Sequence, residues 1–110
     1  MGGDMISDDR LQAALTYLAE TDSPAAELKT DVERKHWMVK QITSAIYLRS
    51  EGTVENRKSY AVTSGEVEEA TNNWLKALEE SEKVVNKRKT ESLITEIYRT
   101  ESANRRAGGI

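Results

Sequence analysis

The sequence has no cysteine, no phenylalanine, one proline and one histidine. Without cysteine there is no disulfide framework, no thiolate zinc site and no cysteine nucleophile, and a reducing compartment fits. His36 lies in the run Glu33-Arg34-Lys35-His36, with no carboxylates at ligand spacing. With no second histidine, nucleophile–base–orienter catalysis cannot be assembled. Gly65 stands alone, so there is no phosphate-cradling glycine loop. No stretch approaches the roughly 18 consecutive apolar residues of a membrane span. Met1-Gly2-Gly3-Asp4-Met5 lacks the basic and apolar regions of a signal peptide. These absences predict a cytoplasmic, non-catalytic protein with no metal, cofactor, small-molecule substrate or membrane partner.

Aliphatic residues are also scarce. Leu, Ile and Val together number 21 of 110 residues, and aromatics make up 5%. So low a share signals disorder only beside a large net charge. Here 16 basic and 19 acidic residues leave −3. The balance points to a mostly helical chain with narrow apolar stripes, whose thin core favours a homo-oligomer.

Four helical segments are legible. Leu11, Ala14, Leu15 and Leu18 recur at helical spacing between Ser7 and Glu20. Thr21-Asp22-Ser23-Pro24 reads as a stop, with Ser23 and Pro24 as N-cap and first position of a second helix reaching Ser50. In that helix Leu28, Val32, Val39, Ile42 and Ile46 form a coiled-coil-like seam, with Lys35 and Arg49 filling its gaps. Trp37 and Leu48 point the opposite way and call for a second cover. A short third helix spans Thr53 to Tyr60, and Thr63-Ser64-Gly65-Glu66 has the spacing of a capping box. From Glu66 to Arg106 there is neither Gly nor Pro. The fold class is therefore all-α: a long helical hairpin with a short N-terminal helix, forming one domain over 1–110. Residues 1–6 and 107–110 are expected to be flexible.

The last helix changes character along its length. Val67, Ala70, Trp74, Ala77, Leu78 and Val85 form one stripe. At 100° per residue the line continues through the polar Arg88, Ser92, Thr95, Arg99 and Arg106. Leu93, Ile94, Ile97 and Tyr98 fall on another face. Charge divides too: residues 1–82 hold 9 basic and 16 acidic side chains, and residues 83–110 hold 7 and 3. The C-terminal quarter is a local cation on an acidic body.

Two kinds of site follow. Lys83, Lys87, Arg88, Lys89, Arg99, Arg105 and Arg106 form a candidate nucleic-acid surface, because guanidinium forks bind phosphates bidentately. Glu91, Glu96 and Glu101 interrupt it, which fits equally a solvated face or cations paired with the acidic body. Trp37, Leu93, Ile94, Ile97 and Tyr98 form a candidate protein interface. Trp74, in mid-stripe, reads as a core residue.

The ending Ile97-Tyr98-Arg99-Thr100-Glu101-Ser102-Ala103-Asn104-Arg105-Arg106 and the run Asn86-Lys87-Arg88-Lys89-Thr90-Glu91-Ser92 resemble small helical proteins of tailed bacteriophages. Tyr17-Leu18-Ala19-Glu20-Thr21-Asp22 and Glu51-Gly52-Thr53-Val54 look similar as well. Tyr98 stands where that group more often has Trp. The resemblance implies an accessory role in phage recombination or replication, in the host cytoplasm. It assigns no residue a role. The leading expectation is thus a non-catalytic DNA-binding accessory factor. The alternatives are a module docking on a host or phage enzyme, and a virion component.

Overall fold

A computed structural model describes residues 6–108. Its three helices are α1 (Asp8–Arg49), α2 (Val54–Thr63) and α3 (Gly65–Gly108), and no strand occurs among the described residues. The all-α class is as expected. Residues 1–5 and 109–110 lie outside the described part, so the expected flexible ends mostly fall there, while Ala107 and Gly108 belong to α3.

Each helix end has a local cause. The Ser7 hydroxyl accepts from the Arg10 amide at 3.1 Å and opens α1, with Asp8 and Asp9 complementing its dipole. The chain leaves α1 through Gly52 at φ +107°, a backbone that only glycine adopts freely. Thr53 caps α2 by accepting from the Asn56 amide at 3.2 Å. Ser64, not Thr63, caps α3: its hydroxyl accepts from the Val67 amide at 3.2 Å. Thr63 instead donates back to the Ser59 carbonyl at 2.8 Å, and with Ser64 as N-cap the third position is Val67, so the anticipated capping box does not form.

The expected break at Thr21–Pro24 is absent. α1 runs through Pro24 as one helix, and no separate short N-terminal helix exists. A proline removes one amide donor, which strands the carbonyl four residues back. The apolar spacing nevertheless continues across it through Leu18, Thr21, Ala25 and Leu28, all half-buried. Arg88 also donates to the Leu18 carbonyl at 2.8 Å and to the Thr21 hydroxyl at 2.6 Å. Side-chain donors thus hold the turn that precedes the proline.

The chain divides into two compact units. In the unit of residues 26–82, the α1 and α3 segments run antiparallel: Arg49 meets Glu66, and His36 stacks on Trp74 with centroids 4.4 Å apart. Its core is Ile46, Ala61 and Val67, with Ile42 and Tyr47 packed against it. The Leu28, Val32, Lys35, Val39, Ile42 and Ile46 seam is buried or half-buried as expected, facing inward with Val67, Ala70, Trp74 and Ala77. Arg49, expected to continue the seam, and Val85, expected in the α3 stripe, are instead exposed. Trp37 and Leu48 receive no cover from an N-terminal helix, because that helix is the same α1; they are 59% and 73% exposed.

The other unit joins residues 1–25 to 83–110. Its helices are antiparallel as well, since Asp8 meets Tyr98 and Thr21 meets Arg88. Ala14 is its only buried apolar residue among those described. On α3 the buried or half-buried positions are Val84, Arg88, Glu91, Ile94, Thr95, Tyr98, Glu101 and Ser102. Of these, Val84, Arg88, Glu91, Thr95, Tyr98 and Ser102 run in an unbroken alternation of fours and threes. The seam of this unit follows a four–three spacing and is largely polar.

Candidate interaction surface

The polar seam is built from forks and caps. Glu91, 5% exposed, accepts both terminal nitrogens of Arg10, each pair at 2.6 Å. Such parallel bonds between charged partners are the strong kind. The hydrogen bond from Arg10 holds the Glu91 carboxyl below its ordinary value, against the opposing effect of burial. The same bond pushes the Arg10 guanidinium further up. Tyr98 donates its hydroxyl to Asp8 at 2.6 Å, and that bond raises the phenol above its usual range. Arg88 completes the set on Leu18, Thr21 and, at 3.5 Å, the Asp22 carboxylate.

This arrangement distributes the candidate cations over different faces. Arg88 is turned into the seam and only a quarter of its side chain is exposed. Lys87 lies over the Tyr17 ring at 4.6 Å, a cation–π contact on the flank of the seam. Arg105 donates to the Ser102 hydroxyl at 3.1 Å. Lys89, Arg99 and Arg106 are exposed and share one line with Ser92, Glu96 and Ala103. Lys83 lies on a different, exposed flank, one turn from Lys87. The seven cations therefore do not form one continuous patch.

The candidate apolar face divides as well. Tyr98 belongs to the inner line, and Ile94 is half-buried beside it. Leu93 and Ile97 point outward, 55% and 38% exposed, one turn apart. Lys89, Glu96, Arg99 and Arg106 flank this ridge on one side and Lys87, Ile94 and Glu101 on the other, while Lys83 shares the line of Ile97 two repeats earlier. Trp37 lies in the other unit.

The sequence reading missed the Arg10–Glu91 fork, having taken Glu91 as an interruption of a basic patch. The signal was present in the spacing. Counted in sevens from Val67 and Ala70, the α3 seam reaches Arg88, Glu91, Thr95 and Tyr98 without a gap.

Among the described residues no group of three or more His, Cys, Asp or Glu could hold a metal ion. No helix among them is long and apolar enough to cross a membrane. No protein family, curated protein or solved structure matches the chain.

Proposed function

We propose that the protein is a non-catalytic interaction module that docks the outer face of α3 onto a protein partner. The observation that carries this reading is the exposure of Leu93 and Ile97, an aliphatic ridge one helical turn long. Exposed Lys89, Arg99 and Arg106 border it on one side and Lys87 on the other. A ridge of this kind fits an apolar groove rimmed by acidic side chains, as amphipathic helices dock generally. The apolar centre supplies affinity, and the cations set orientation and association rate.

Nucleic-acid binding is the second reading. It is supported by the Lys89, Arg99 and Arg106 line and by the resemblance to phage accessory proteins. It ranks lower because Arg88 is committed to α1 and Glu96 lies within the line. Phosphate binding through the remaining cations would weaken steeply with salt.

One paired experiment separates the two. The full chain is immobilised and exposed to host-cell lysate before and after nuclease treatment. Capture that survives nuclease, is lost with Leu93→Asp/Ile97→Asp and persists with Lys89→Glu/Arg99→Glu/Arg106→Glu supports protein docking. Capture abolished by nuclease, together with salt-sensitive binding to labelled DNA, would replace it with the second reading.

A further inference from the structure

The outer face of α1 in the unit of residues 26–82 carries a line of its own, opposite the seam. Trp37 and Leu48 are its large members, 59% and 73% exposed. Eleven residues make almost three full turns, so both side chains leave the helix in one direction, about 16 Å apart. Gln41 and Ser44, exposed between them on the same line, carry no charge. Beside Leu48 a groove of about 530 Å³ opens between α1 and α2, with Tyr47, Lys58, Ala61 and Val62 in its walls. Val62 is itself 67% exposed.

A projecting indole and a mostly apolar groove thus share one strip, in which Lys58 at the groove wall is the one charged side chain among the groove's lining. We infer that this strip is occupied by a second copy of the chain, packed antiparallel about a two-fold axis between Gln41 and Ser44. A two-fold interface must be self-complementary, each feature meeting its counterpart on the other copy. In the antiparallel register, Trp37 of each copy enters the groove beside Leu48 of the other, and Gln41 faces Ser44. A parallel register sets indole against indole and leaves both grooves empty. Interface centres are depleted in charge and enriched in Trp and Tyr, as this strip is. The unpaired chain also has reason to associate: Ile46 is its only large side chain that is fully buried among the described residues. This pairing uses a face separate from the α3 ridge, so its failure would leave the docking proposal standing.

The full chain is tested by sedimentation equilibrium across micromolar to millimolar concentrations. A reversible monomer–dimer equilibrium is expected. Ser44→Glu places a charge at the axis and should raise the dissociation constant by about tenfold or more, with helicity by circular dichroism unchanged. Trp37→Ala should weaken the dimer, and Asn72→Glu, an equal charge on an exposed α3 position, should leave it intact. Because the chain has no cysteine, register can be read directly. Mixing Gln41→Cys with Ser44→Cys should give the mixed disulfide in preference to either homodisulfide. A monomer throughout, a dimer indifferent to Ser44→Glu, or dominant homodisulfides would each overturn the inference.

Discussion

Arg10 and Glu91 meet as a parallel fork, with each terminal nitrogen of the guanidinium 2.6 Å from its own carboxylate oxygen. The two partners are unequally placed: the Glu91 side chain is 7% exposed and that of Arg10 40%. An orphaned Arg10 can turn to water, whereas an orphaned Glu91 stays buried. Arg10→Ala should therefore destabilise more than Glu91→Gln in urea unfolding. Arg10→Leu/Glu91→Leu should recover much of the loss, because replacing both partners removes the unmatched charge.

The same groups set the pH range. Glu91 has its folded value lowered from 4.5, so its stabilisation is present above 4.5 and is lost as pH falls through the lower, folded value. Tyr98 has its folded value raised from 10.0, so its contribution is complete below 10.0 and is lost as pH rises through the higher, folded value. Thermal melts should show a stability plateau that falls below pH 4.5 and again above pH 10. Glu91→Gln should blunt the acid limb and Tyr98→Phe the alkaline one.

Pro24 leaves the Glu20 carbonyl without its amide donor, inside a helix that otherwise continues. Pro24→Ala should stabilise the chain, by up to about 3 kcal/mol, read as a higher urea midpoint. Arg88→Ala should act in the opposite sense, by about 1.5–3 kcal/mol, since it removes charged donors from Leu18 and Thr21. Hydrogen exchange should place the loss in residues 6–25 and 83–108.

Burial separates two aliphatic residues two positions apart. Ile46 is 1% exposed and Leu48 73%. Ile46→Ala should cost about 2–5 kcal/mol through lost transfer energy and a cavity. Leu48→Ala should leave monomer stability within about 0.5 kcal/mol, as surface substitutions do.

What the sequence disclosed, and what it hid, follows from how helical phase accumulates. The seam from Leu28 to Ile46 was legible because its apolar residues are near one another and locally in phase. Trp37 and Leu48 were correctly set opposite it. The C-terminal part of α3 was misread because a wheel turning 100° per residue drifts about 20° per seven residues against a coiled-coil repeat. Three repeats beyond Trp74 the error is about 60°. That is enough to put Ser92 and Arg99 on the inner line and to move Tyr98 off it. Composition compounded the error, since apolarity does not mark a seam made of Arg88, Glu91 and Thr95. The continuity of α1 was hidden for another reason. Ser23-Pro24 has the local chemistry of a helix start, and the Arg88 donors that sustain the preceding turn lie 67 to 70 residues away.

α3 turns Thr95 and Tyr98 inward and leaves the ridge of Leu93 and Ile97 facing outward. Thiol alkylation of single-cysteine variants of the full chain tests it directly, because no native cysteine interferes. Leu93→Cys and Ile97→Cys should react fast, and Thr95→Cys and Tyr98→Cys slowly. Slow reaction at positions 93 and 97 with fast reaction at 95 and 98 would contradict the account.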